Sequence, residues 1–396
     1  MIHTVQNDRL ETKKAPLHVL IIGGGIGGLC LAQGLKKSGI SVSIYERDRS
    51  VSFRNQGYRI SLKEDGSQAL RDCLPENLFQ LCVATAIKSA TRMVFLDHQL
   101  NQKFAKPIPP LPEDAFFGVH RLTLREILLA GLEGMVHFGK TFVQFDQSNH
   151  GKIRASFADG TEAYGDLLVG ADGTNSVVRG LLVPDAVIDD LDCAIYGKTP
   201  LTPDLLEWVP EVLLDSFNRV SDPDGVSLSV ATCRKREAWT SATESLAPDL
   251  HLTEMQDYLS WTLSRTQEPF GGADGLSLHR LACNMVKEWP SSVRRIIEDA
   301  ESAATFLVTL RSARPVKPWH TENATLLGDA IHTMSPGRGE GANTALRDAQ
   351  FLRSALANVE TFGVPLIQAK AQYETTMLRY GFEAVANSRE HPFRKH

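Results

Sequence analysis

Cysteine is sparse and nowhere paired in this chain. Its six thiols among 396 residues (Cys30, Cys73, Cys82, Cys193, Cys233 and Cys283) form no C-x-x-C couple and no zinc-ligand spacing. A chain of this length needs no disulfide framework, so they are expected as reduced core thiols in a cytoplasmic protein, with no metal site. Excess positive charge is missing too: 42 Lys and Arg stand against 47 Asp and Glu, a formal charge of −5. No large positive field exists to draw in phosphate backbones, which excludes nucleic acid as the expected partner. No uninterrupted apolar stretch reaches the ~18 residues of a membrane span, so no membrane partner is expected. The run from Leu17 to Ala32 behind Lys13 and Lys14 imitates a signal peptide, but Asp8 and Glu11 spoil the basic region and five glycines break the run. Aromatic residues are 7% of the chain, and no aromatic stripe points to a ligand.

What is present is a patterned α/β chain, long enough for two or three packed domains. Residues 1–16 are polar and aperiodic and read as a flexible leader. Leu17 to Ile22 suits a buried parallel strand and runs straight into a glycine cluster. The helix that follows has an apolar face of Leu29, Ala32 and Leu35, basic Lys36 and Lys37 in its last turn, and Gly39 as its stop. Ile40 to Tyr45 alternates as a strand and ends at Glu46. Beyond the proline-rich crossing Pro107 to Pro112, Arg121 to Leu132 has helical spacing. Phe142 to Phe145, Ile153 to Phe157 and Leu167 to Val169 read as strands, with the Asp159-Gly160 turn between the last two. The stretch 190–312 reads as a largely antiparallel middle domain, with Val226 to Ala231 alternating and Met255 to Leu263 helical. Thr325 to Leu327 is a further strand, and Thr344 to Ala357 and Ile367 to Ala386 are helices. The expected fold is mixed α/β: a Rossmann-like nucleotide-binding domain (17–189 and 313–396, the latter with C-terminal helices) interrupted by the β-sheet domain 190–312.

Three motifs carry the chemistry. Gly23, Gly25 and Gly28 satisfy G-x-G-x-x-G between strand and helix, where missing side chains let backbone N–H groups approach a pyrophosphate. Glu46 follows 18 residues after Gly28, where its carboxylate can accept from both hydroxyls of an adenosine ribose. Arg47 either covers the adenine or is solvated. The second motif, Gly170-Ala171-Asp172-Gly173, and the third, Gly328-Asp329 with Pro336-Gly337-Arg338-Gly339-Glu340-Gly341-Ala342-Asn343, each set an Asp at a strand end beside small residues.

In this order and spacing the motifs resemble the group A FAD-dependent aromatic monooxygenases, the p-hydroxybenzoate hydroxylase-like family that includes tetracycline-inactivating and natural-product tailoring enzymes. The resemblance spans about residues 17 to 390. It implies that Gly23, Gly25 and Gly28 hold the FAD pyrophosphate, Glu46 the adenosine ribose, and that Arg121 reaches the cofactor from its helix. It also implies that Asp172 and Gly173 serve FAD and the reduced nicotinamide, that Asp329 lies beside the ribityl chain and pyrophosphate, and that Gly339, Gly341 and Ala342 face the pyrimidine end of the flavin. Where the family commonly has Gly-Gln-Gly, this chain has Gly339-Glu340-Gly341. A carboxylate there disfavours an anionic reduced flavin unless Arg338 or solvent compensates.

The implied activity is NAD(P)H- and O2-dependent hydroxylation or epoxidation of an aromatic or polycyclic small molecule through a flavin C4a-hydroperoxide, in secondary metabolism, by a monomer or homodimer. Gly57 would give clearance on the path of a moving flavin, and Arg59 and Tyr196 are the candidate catalytic, substrate-contacting residues. His332 is read as loop scaffold, and His279, Trp239, Trp261 and Trp319 as packing. Two other readings are a reductase of the geranylgeranyl-reductase type, which would incorporate no oxygen from O2, and a non-catalytic flavoprotein that sequesters an aromatic ligand. A halogenase lacks support because no Trp-x-Trp-x-Ile-Pro segment occurs.

Overall fold

The computed structural model describes residues 16–51, 59–147, 151–236, 239–265 and 274–389. The leader up to residue 15 and Gly57 lie outside the described residues. At the centre is a five-stranded, all-parallel sheet in the order Ala324–Leu326, Leu167–Gly170, His18–Ile22, Ser41–Glu46, Val136–Phe138. Val19 to Ile22 are buried because both faces are covered, by the helix Ile26–Lys37 on the Ile21 side and by a three-stranded antiparallel sheet (Phe142–Gln147, Ile153–Phe157, Glu162–Gly165) on the Leu20 side, where a Cβ on Gly165 would fall 2.7 Å from Leu20 Cγ, which is why this strand reads as a continuous apolar run. The helix Ile26–Lys37 leaves the glycine turn and is buried from Ile26 through Leu35, wedged against the 22-residue helix Gly341–Phe362. It ends as its residues dictate, with Ser38 N–H bonding back to Gly34 and Leu35 and Gly39 in the left-handed region at φ 74°.

The second body is a seven-stranded sheet in the order Phe306–Ala313, Ile188–Pro200, Tyr258–Arg265, Val226–Cys233, Ser216–Ser221, Arg92–Asp97, Gln102–Pro107. All its pairings are antiparallel except Ser216–Ser221 with Arg92–Asp97, and its last two strands come from chain ahead of residue 190. Its core of Ile195, Leu228, Leu259, Trp261 and Leu263 packs against Leu278, Val293, Ile296 and Ile297 of two helices. The hairpin-like pair Arg59–Leu62 with Phe117–His120 lies between the bodies, and Ile87 bridges Gly118 to Lys235.

Three expectations need correction. Met255 to Leu263 is not helical: Tyr258–Arg265 is a strand with neighbours on both sides. Leu259, Trp261 and Leu263 recur at period two, and pairing in a sheet interior overrides a weak helical pattern. The Asp159-Gly160 turn leads into a strand that was not expected, Glu162–Gly165, whose four residues are too short for a hydrophobic signal. All six thiols are free, but Cys193 and Cys283 are only half-buried and are not core residues. Among the described residues no helix is long and apolar enough to cross a membrane.

Candidate functional site

The three glycines of the first turn do different work. Gly23 sits at φ 112°, and a Cβ there would fall 2.3 Å from the Ala171 carbonyl oxygen. At Gly28 a Cβ would fall 2.3 Å from the Gly23 carbonyl oxygen. These two let strand, helix and the Ala171 turn pack. Gly25 differs: it is the N-cap of the helix Ile26–Lys37 at φ −78°, and a Cβ there would meet nothing within 4 Å. Its open side lies at a helix N-terminus, where free backbone N–H groups and the macrodipole favour a phosphate.

Glu46, at the end of its strand, is 7% exposed. Gly24 N–H and Asp48 N–H donate to its two oxygens at 2.7 and 2.8 Å, and the Arg125 guanidinium lies 3.7 Å away. Arg125 also donates to the carbonyls of Gly24 and Val51, at 3.1 and 3.0 Å. Sequence reasoning missed this residue. Its signal was its place one turn beyond Arg121 on the same helix, Arg121–Leu129. Arg47 is exposed.

Asp329 opens the short helix Asp329–His332, after Gly328 at φ 63°. Its side chain is open to solvent yet densely walled by protein, as at the bottom of a recess. Desolvation there pushes its carboxyl pKa up, aided by Asp348, while His332 and Arg121 pull the other way. Arg121 thus lies close enough to Asp329 to act on its charge. A Cβ on Gly341 would lie 3.8 Å from Asp329 Oδ1, so the glycine loop and the acid share one wall. Gly341 and Ala342 are the first residues of the helix Gly341–Phe362, with their amides at its positive end. Gly339, left-handed at φ 65°, lies against Ser61. Asn343 pins this loop by donating to the Ser61 and Gly339 carbonyls, at 2.9 and 2.8 Å, and accepting from Lys63 N–H at 2.8 Å. Glu340 is neutralised by the Lys63 ammonium, so the compensating cation is Lys63 and not Arg338.

Behind the loop, a buried network fixes the Gly328-Asp329 turn. Asp348 accepts from Gly328 N–H and pairs with His332 Nε2 at 2.7 Å each, and accepts from Tyr380 Oη at 2.6 Å. Burial alone would lower the His332 pKa, but Asp348, with Asp329 adding to it, raises it overall. His332 is therefore scaffold, as read from its position.

The Asp172 carboxylate is committed to its own turn. It accepts from Ser176 Oγ at 2.5 Å and from Val177 N–H at 2.8 Å, capping the helix Val177–Leu182. Gly173 beside it is left-handed at φ 78°, with open space at its Cβ. Arg179 stitches this motif to the third by donating to the Thr174 and Ala330 carbonyls, both at 2.9 Å. Tyr196 is half-buried against Phe306, ring centroids 5.2 Å apart. Trp239, Trp261 and Trp319 are buried, and His279 pairs with the Ile297 carbonyl at 2.7 Å. The residues around Gly25, Glu46, Asp329 and Gly341 fit FAD: an open helix N-terminus, an acid at each end and a second helix N-terminus.

Comparison with known proteins gives the family. A family described as an FAD binding domain matches residues 284–373, and one described as an NAD(P)-binding Rossmann-like domain matches residues 21–80. The dual O-methyltransferase/FAD-dependent monooxygenase CTB3 of Cercospora beticola is 33% identical over 91% of this chain, which spans 44% of that protein's length. The FAD-dependent monooxygenase dbaB of Emericella nidulans is 30% identical, over 86% of this chain and 87% of its own. Among solved structures, a candidate FAD-containing monooxygenase from Photorhabdus luminescens superposes with a TM-score of 0.80 at 32% identity, covering 94% of this chain and 96% of the other.

Proposed function

The chain belongs to the FAD-dependent monooxygenases, and from that premise we propose that it uses NAD(P)H and O2 to insert one oxygen atom into an aromatic or polycyclic small molecule of secondary metabolism. The observation that carries the reading is that the glycine-turn helix packs on the third motif, a Cβ on Gly27 falling 2.8 Å from Leu327 Cδ1 and 3.2 Å from Ala345 Cβ, while a Cβ on Gly341 would lie 3.8 Å from Asp329 Oδ1. When bound, FAD supplies hydride acceptance and oxygen activation, so no protein nucleophile is needed.

The chain's own residues bind, orient and tune. Glu46, held by two amides and Arg125, keeps lone pairs free for ribose hydroxyls. Gly25 leaves the backbone open to the pyrophosphate, and Asp329 offers its carboxylate to the adjoining polyol. The amides of Gly341 and Ala342, at a helix N-terminus, would favour negative charge on a flavin bound beside them, and the Lys63–Glu340 pair would keep the loop carboxylate from opposing it. Tyr196 lines the sheet on the substrate side, and Asp172 and Gly173 act by shaping the second turn.

The test is the visible spectrum of the purified protein, followed by aerobic NAD(P)H oxidation with polycyclic phenols while H2O2 is trapped and 18O2 incorporation is read. Flavin absorbance, ligand-stimulated oxidation and labelled product are expected. A protein that cannot be loaded with FAD, or an unlabelled reduced product, would sink the proposal. Glu46→Ala should weaken FAD binding by roughly 1–3 kcal/mol, the scale of lost charge-assisted hydrogen bonds; an unchanged dissociation constant removes its assignment. Lys63→Met leaves Glu340 uncompensated and should make the flavin midpoint potential more negative, and an unmoved potential would place Glu340 outside the flavin's field.

A further inference from the structure

Arg59 is the least satisfied cation among the described residues near the site. It begins the strand Arg59–Leu62, where Ile60 and Leu62 turn into the core while Arg59 and Ser61 share the opposite face. Ser61 touches the Gly339 loop, with its Cβ 3.9 Å from the Cβ position of Gly339 and its carbonyl bound by Asn343. Arg59 is therefore about 7 Å along the strand from the loop that faces the flavin ring. Its guanidinium lies over the Phe217 ring of the large sheet at 4.4 Å, and against Gly118, where a Cβ would come within 2.8 Å of Nε. Nε and Nη1 are buried and have no hydrogen-bond partner.

The groups facing Arg59 are the Cys233 thiol and the Tyr258 and Tyr196 phenols. Burial pushes the Cys233 and Tyr258 pKa values up, so neither is an anion at neutral pH. The Tyr258 hydroxyl is itself buried, with no partner beyond that weak thiol. Guanidinium does not shed its proton to escape burial, so among the described residues this corner presents several donors, one full positive charge and no carboxylate to match it. An aromatic wall and a charge of this kind complement a planar aromatic anion.

We propose that the substrate carries an ionised oxygen group, a carboxylate or an acidic phenolate, and that Arg59 with the Tyr258 hydroxyl receives it. This rests on the monooxygenase reading and specifies its substrate class. It also gives Arg59 a role in orientation: an anion anchored there sets which ring carbon faces the flavin.

The test is calorimetric titration, which reads binding with or without flavin, using two matched pairs. 2-Naphthoate is compared with 2-naphthamide, and 4-nitrophenolate at pH 8.5 with 4-nitroanisole. At least one anion should bind tenfold or more tightly than its neutral twin, and the pair that discriminates identifies carboxylate or phenolate. Arg59→Met should abolish that preference while the melting temperature holds or rises, since an uncompensated buried charge is removed. Tyr258→Phe, a milder change, should reduce the preference severalfold without unfolding. Equal binding of each anion and its twin, or a preference undiminished in both variants, overturns the proposal. FAD content, read separately from the spectrum, tells that failure from failure of the flavoprotein reading.

Discussion

Gly28→Ala should destabilise the protein by about 3 kcal/mol, while Gly25→Ala, three residues away, should leave the melting temperature of the flavin-free protein unchanged and strip it of FAD. The new methyl at Gly28 would lie 2.3 Å from the Gly23 carbonyl oxygen, a backbone atom with no rotamer to escape into. Relief requires separating the first helix from the first strand, and both are buried at the centre of the fold. At Gly25 the backbone angles suit alanine and the methyl meets nothing within 4 Å. It would stand instead where phosphate must approach the helix N-terminus, and a roughly hundredfold rise in the FAD dissociation constant corresponds to about 3 kcal/mol. Thermal melting and flavin titration of the two variants check this. A Gly25→Ala protein that stays yellow and fully loaded would mean that the pyrophosphate does not use this end of the helix.

Asp348→Ala should cost about 3–5 kcal/mol, because it leaves three buried donors on Gly328, His332 and Tyr380 without an acceptor. Urea unfolding measures it, and a loss under 1 kcal/mol would show that the network relaxes onto other partners. The sign of the accompanying pH effect follows from the raised His332 pKa. A histidine whose folded value exceeds its unfolded one contributes stability that is fully present below about pH 6.5 and is lost as pH rises through the raised folded value. Asp348→Asn removes the raising charge and should flatten that slope. An unchanged slope in the variant would assign the pH dependence to other groups.

The parallel domain was legible because each of its signals is local. Leu17 to Ile22, the glycine turn and Glu46 lie within 30 residues of one another, and turn chemistry is written in the residues that make the turn. The middle sheet was less so. Tyr258–Arg265 takes its conformation from neighbours at residues 188–200 and 226–233, which no window around it contains. The same division holds at the site. Asp329 and Gly341 belong to recognisable motifs, whereas Lys63, the cation that neutralises Glu340, sits 277 residues from it and carries no motif. Arg59 was visible as a candidate, but its lack of a counter-charge exists only once Phe217, Tyr258 and Cys233 are folded around it.

The parallel sheet also sets an order of events during synthesis. Leu167–Gly170, buried along its whole length, pairs on one side with His18–Ile22 and on the other with Ala324–Leu326. The second partner leaves the ribosome about 150 residues after the first edge is ready, a delay of roughly 8–30 s at usual elongation rates. Throughout that interval a nascent chain presents an apolar strand edge with nothing to zip onto it, the hazard that edge strands pose for aggregation. The thirteen-residue strand Ile188–Pro200 and the body built on it emerge in the meantime. Yield in a foreign host should therefore respond to translation speed and chaperone supply before it responds to added riboflavin, because the Asp329 end of the flavin cradle is made last.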